Sequence, residues 1–176
     1  TTNWWGASSG PGGDGSGSGT EVSGDVEFTP FYTNSAKTSL STSAESGSVD
    51  SNGTARSNLR AEPGGIEESA VTFQSSSSAN SVTTVESDGP TGAASEPTAE
   101  QADSVSVYAD ISADQAVNED VTVTLTVADA EVDDIDRTRI LHYVNGEWTE
   151  LETSAQRTSN GTVRLEATTD SLSPFA

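Results

Sequence analysis

The sequence predicts an all-β protein whose C-terminal part, residues 70–176, forms an antiparallel, immunoglobulin-like β-sandwich. Three observations carry that expectation. Apolar residues alternate with threonine and other polar residues along several short runs. Asn-Gly pairs stand between such runs, at Asn145-Gly146 and Asn160-Gly161. Helical periodicity is nearly absent, with only Glu131 to Asp136 able to form a turn of helix.

Taken in order, Val71 and Phe73 open the first strand of this region. Ser81 to Glu86 forms a second, which the breaker Asp88-Gly89-Pro90 ends. A loop rich in proline and glutamate runs to Gln101. Val105, Val107, Ala109 and Ile111 then fall on one face of a strand. Val121, Val123, Leu125 and Val127 alternate with Thr122, Thr124 and Thr126, the pattern of a half-buried β-branched strand. Arg139 to Val144 turns at Asn145-Gly146 into Glu147 to Leu151, because both turn residues tolerate the positive φ of a type I′ turn. Asn160-Gly161 repeats the signal ahead of Val163, Leu165 and Ala167. Six to eight short strands with turns between them suit a sandwich, in which each sheet buries one face and wets the other.

The N-terminal seventy residues read differently. Residues 1–33 hold the pair Trp4-Trp5, a Gly/Ser-rich loop from Gly6 to Thr20, and a short strand with Val22, Val26 and Phe28 on one face, closed by Pro30. Thirty residues this rich in glycine cannot bury two adjacent tryptophans alone. The Gly12 to Gly19 stretch reads as a linker, since its Gly/Asp pattern occurs once and calcium-binding repeats of that kind work as arrays. Residues 34–69 show neither strand nor helix period and are expected to be a flexible Ser/Thr/Gly linker.

Composition bounds the function. The chain has 176 residues, of which 31% are hydrophobic, so its apolar residues must be concentrated rather than spread. Asp and Glu number 28 against 7 Lys and Arg, a formal net charge of −21, and Lys37 is the sole lysine. Such an excess repels itself at low salt. At 1 M salt the Debye length falls to about 3 Å and removes that cost. Few lysines, many carboxylates and small side chains together read as adaptation to brine. Nucleic acid is an unsuitable partner, because phosphate is bound by Lys and Arg, and an anionic membrane surface is disfavoured for the same reason. There are no cysteines, hence no disulfides, no thiolate nucleophile and no Cys metal site. No apolar run is long enough to span a bilayer, so any membrane attachment is expected through an anchor outside this sequence. Both ends read as cut from a longer chain.

Candidate chemistry is sparse. His142 is the one histidine, so neither a His-based metal cluster nor a catalytic triad can be assembled, and it is expected at a sheet rim. No catalytic residue and no required cofactor emerge. The acidic run offers Asp129, Glu131, Asp133, Asp134 and Asp136 as calcium ligands, because a hard cation needs several oxygens at once. Its spacing is not that of an EF-hand, whose sixth and twelfth positions here hold Asp134 and Ile140. The alternative is a solvated acidic loop. Two Asn-Gly-Thr sequons mark Asn52 and Asn160 as glycosylation candidates in an exported protein. Trp148 is expected to pack across the sandwich core, with carbohydrate stacking as the alternative.

Two stretches resemble known families. Val105 to Ala176 resembles the PGF-pre-PGF domain of archaeal surface proteins. The resemblance rests on Val107 to Ile111, the run Val121 to Val127, His142 to Leu151 with its Gly146-Glu147-Trp148, and the closing Ser171-Leu172-Ser173-Pro174-Phe175-Ala176. That family usually has Gly-Phe where Ser171-Leu172 stands. Separately, Asn3-Trp4-Trp5-Gly6, Ser9-Gly10-Pro11 and Val26 to Phe31 resemble the closing segment of right-handed parallel β-helix surface proteins (NosD-like and pectin-lyase-like), whose last coil such tryptophans would cap. The resemblances imply an extracellular, cell-surface-anchored haloarchaeal protein, with the cell envelope or surface layer as surroundings and no catalytic residue in the sandwich. The expected function is therefore a non-catalytic display module. Its alternatives are the accessory C-terminal part of an extracellular carbohydrate-active β-helix enzyme, a polysaccharide lyase or hydrolase with its site upstream, and a glycan- or calcium-binding module. The sequence points to no oligomeric state.

Overall fold

The computed structural model describes residues 2–15, 17–24, 30–59, 65–74, 79–117, 119–172 and 174–176. Thirteen strands follow one another: β1 (Gly12–Gly13), β2 (Glu21–Val22), β3 (Ser41–Ser48), β4 (Thr54–Ser57), β5 (Ile66–Phe73), β6 (Ser81–Ser87), β7 (Tyr108–Ala113), β8 (Val121–Ala128), β9 (Leu141–Val144), β10 (Glu147–Glu150), β11 (Thr153–Arg157), β12 (Thr162–Thr169) and β13 (Pro174–Phe175). Apart from the small parallel pair β1-β2, they form two antiparallel sheets. One has six strands in the order β10-β9-β13-β7-β6-β3, the other five in the order β11-β12-β8-β5-β4. The fold is all-β and of the general sandwich type.

Alternation in the sequence becomes burial in the five-stranded sheet. Val123 of β8 lies between Val71 of β5 and Ala167 of β12, and Ala55 of β4 lies beyond Val71 in the same row. One step along, Leu125 lies between Ser69 and Leu165, and Leu165 faces Ala155 of β11. The apolar members of these rows meet Val82, Ala109, Ile111 and Phe175 of the six-stranded sheet in one buried cluster. Each buried aliphatic side chain contributes about 1.5–3 kcal/mol relative to exposure.

The two Asn-Gly pairs make different turns. Val144 pairs with Glu147, leaving a two-residue loop in which Asn145 (φ 54°) and Gly146 (φ 91°) both adopt positive φ, as a type I′ turn requires. In the second hairpin only Gly161 (φ 80°) is left-handed. Thr158 N donates to Thr162 O at 2.8 Å, which encloses the longer loop Ser159-Asn160-Gly161.

Residues 34–69, expected as a linker, are corrected by the structure: they carry β3, β4 and the first half of β5. β3 is an edge strand of one sheet and β4 an edge strand of the other, so the turn between them joins the two sheets. Periodicity misses β3 because its sequence, Ser-Thr-Ser-Ala-Glu-Ser-Gly-Ser, has almost no apolar side chain to alternate. The backbone ladder to β6 and the Ser46–Thr83 hydroxyl bond of 2.7 Å hold it instead. Gly47 is required there, since a Cβ at that position would lie 2.1 Å from the Arg56 carbonyl oxygen.

The Gly12 to Gly19 loop is also not a free linker. Gly17 N donates to Pro11 O, Gly19 N to Gly10 O and Thr20 N to Trp5 O, which folds it back on the tryptophan segment. Phe31, wholly buried, ties the N-terminal segment to the edge of the six-stranded sheet through two bonds with Ser41. Of the expected first strand, Val22 lies in β2, while Val26 and Phe28 lie outside the described residues. The helical turn is a 3-10 turn over Asp129–Glu131, ahead of where it was expected. Val105 and Val107 precede β7 rather than belonging to it. Val107 still packs on the main core, whereas Val105 packs with Tyr108, Leu141 and Trp148.

Candidate functional site

His142 is not at a rim. It is buried, its ring stacked on Phe175 with centroids 4.7 Å apart and planes 12° from parallel. Its Nδ1 shares a 3.2 Å hydrogen bond with Thr169 Oγ1. Burial disfavours the imidazolium and lowers the pKa, against a smaller opposing pull from Asp170.

Trp148 is buried, but not between the sheets as expected. Its register partner Tyr143 lies across the strand pair, and the two rings meet edge to face at 5.2 Å. With Tyr108 and Leu141 it forms a second, smaller cluster. Two bonds fasten residues 95–101 over it: Trp148 Nε1 donates to Ser95 O at 2.6 Å, and Gln101 Nε2 donates to Trp148 O at 3.0 Å. Tyr108 donates to the Glu96 carboxylate, and burial followed by that bond raises the phenol pKa well above its ordinary value. The tryptophan is thus sealed by its own chain rather than presented for stacking.

Residues 99–107 arch over a cleft of about 610 Å3, a size within the range of small-ligand pockets. Leu125, Val127, Ile140 and Leu165 are among its apolar lining. Arg137 is paired with Asp103 of the arch, and Arg139 with Glu150 at 3.4 Å. Of the acidic run, Glu131, Asp133 and Asp134 line this cleft, whereas Asp129 accepts from Arg157 Nε at 2.6 Å. Asp134 Oδ1 accepts from the Asp136 amide, a local turn bond. The structure does not gather the five candidates around one point: among the described residues no three His, Cys, Asp or Glu side chains converge as a metal site. The arch carries no periodic signal, so sequence reasoning passed over it as loop.

Asn52 and Asn160 are both exposed, each in a turn. Asn52 lies between β3 and β4, where Asp50 Oδ1 accepts from the Asn52 and Thr54 amides. Asn160 lies between β11 and β12. Thr54 pairs with Thr72 and, through it, with Thr122 at the start of β8, while Thr162 pairs with Ala128 at its end. The two sequons therefore sit at opposite ends of the five-stranded sheet.

No family model matches the chain, and neither a curated protein nor a solved structure matches it.

Proposed function

We propose that the chain is a non-catalytic structural module that displays or spaces another part of an exported, salt-adapted surface protein. The observation that carries the reading is how its charge is distributed. Among the described residues only Glu86 and Asp110 are buried carboxylates. Five arginines form ion pairs, all at the surface and each with a single acid. The large acidic surplus therefore faces solvent uncompensated, where it holds water and is tolerated best in brine.

Within this reading, the two sheets are an immunoglobulin-like sandwich of the PGF-pre-PGF kind, and residues 1–33 close a right-handed β-helix. The pairing of β1 with β2 supports the second part, because it is the one parallel ladder among the described residues and lies beside Trp4 and Trp5. Both tryptophans are only half-buried, which leaves apolar area for a preceding coil to cover. The protein is then extracellular, at the cell envelope, and attached through an anchor elsewhere.

The test is to incubate the protein at 1–2 M salt with a panel of acidic and neutral polysaccharides and to monitor both cleavage and binding. The reading predicts neither turnover nor saturable binding. Turnover would assign the chain to a carbohydrate-active enzyme, and saturable binding would make it a glycan-recognition module.

A further inference from the structure

Asp110 occupies the middle of β7, on the face of the six-stranded sheet opposite Ala109 and Ile111 of the main core. It is 6% exposed. None of the ion pairs among the described residues includes it, and its hydrogen-bond partner is Ser8 of the N-terminal segment. A buried carboxylate must be paired with a cation, coordinate one, or take up a proton.

Several oxygens of a kind that hard cations prefer converge over it. Pro174 is the register partner of Asp110. A Cβ built on Gly92 would lie 3.8 Å from Ser8 Oγ and 3.9 Å from Pro174 Cγ, so the Thr91-Gly92 backbone comes down beside the same spot. Gly92 N donates to Thr33 O at 2.8 Å, which brings Thr33 into the group. The hydroxyls of Thr33 (0% exposed) and Thr91 (1% exposed) have no hydrogen-bond partner. Buried hydroxyls are nearly always satisfied, and each exception calls for a ligand, a water or an ion. A proton on Asp110 would neutralise the carboxylate and leave both hydroxyl oxygens unused. An alkali cation would meet both needs.

We propose that Asp110, with the hydroxyls of Ser8, Thr33 and Thr91, holds a buried monovalent cation, sodium or potassium, between the N-terminal segment and the six-stranded sheet. A divalent ion is disfavoured because one carboxylate neutralises half of its charge, and calcium sites draw on six to eight oxygens. The desolvation that raises the Asp110 pKa is the cost that the cation offsets. Its binding pins the N-terminal segment to the sandwich, so it adds a specific cation requirement to the general need for screening.

The experiment is thermal unfolding of the whole chain at fixed ionic strength and pH 7, with sodium or potassium chloride progressively replacing choline chloride. Choline screens equally but is too large for the site. The proposal predicts that Tm rises by about 3–5 °C for each tenfold increase in alkali cation once binding saturates. It predicts that Asp110→Asn abolishes the rise and that Thr91→Val moves it to higher concentration. A rubidium-soaked crystal should show an anomalous peak within bonding distance of Asp110. Equal Tm in choline and alkali salts would overturn the site and leave Asp110 protonated. So would a cation response that survives Asp110→Asn, or a crystal with no peak there if that variant does not fold.

Discussion

The lone histidine of the chain stacks face to face on Phe175, the penultimate residue, between the two sheets. This contact joins β9 to β13 where His142 and Phe175 are also register partners. It ties the stability of the fold to a group that titrates near neutrality. The pKa of His142 lies below its ordinary 6.5 because burial penalises the cation. The unfolded chain is then the better proton binder, so stability is fully present above about pH 7 and falls as pH drops through 6.5. The slope is at most about 1.4 kcal/mol per pH unit for one proton. His142→Phe keeps a ring against Phe175 and should flatten the stability profile between pH 7.5 and 5.5, as measured by urea unfolding at each pH. An unchanged slope would place the titration elsewhere.

β13 is two residues long, yet it alone joins the β9-β10 hairpin to the rest of its sheet. Leu141 and Ala176 exchange two backbone bonds, of 2.7 and 3.0 Å, beside it. Phe175→Ala should cost about 3–5 kcal/mol, the range for deleting a fully buried aromatic ring. A chain ending before Pro174 should lose amide protection in β9 and β10 first, while β8 and β12 keep theirs. Hydrogen exchange resolves the two groups of amides, and uniform loss would contradict this account of the sheet.

Trp148→Phe preserves the ring contact with Tyr143 but removes the bond to Ser95 O. A buried carbonyl left without its donor costs about 1–3 kcal/mol. The expected result is a destabilised fold with residues 95–101 made susceptible to limited proteolysis. Loss of stability without new cleavage would mean that the segment is held by Gln101 and Tyr108 instead.

Much of the sandwich was legible in the sequence because β8, the β9-β10 hairpin and β12 express their structure in the two signals sequence carries best, alternation and turn chemistry. Val121 to Val127 alternate because one face of β8 is core and the other is threonine, and Asn145-Gly146 fits the one turn that matches strand twist. β3 and β4 were illegible for an equally physical reason. Where they lie, polar pairs take over from apolar contacts: Ser69 meets Thr84 at 2.6 Å, Ser46 meets Thr83, and the buried Glu86 accepts from the Ile66 amide at 2.8 Å and from Thr42 at 3.0 Å. Such pairs satisfy buried polar groups without leaving a hydropathy pattern. The same holds for Asp110, which in sequence is one acid among 28 and becomes distinctive only when the N-terminal segment covers it. Trp148 and His142 exchanged their expected environments because alternation states which residues share a face, not which face meets the other sheet.

The central claim is that this is a brine-adapted fold whose uncompensated surface carboxylates set its stability. Thermal unfolding of the whole chain in choline chloride from 10 mM to 1 M tests it most directly, because choline screens charge without occupying a cation site. Over that range the Debye length contracts from about 30 to 3 Å, so the repulsion among carboxylates disappears. The account predicts a single cooperative transition whose Tm climbs steeply with salt and levels off near 1 M. A Tm that is flat or falls would mean that the five surface ion pairs outweigh the acidic surplus, and the claim would be wrong.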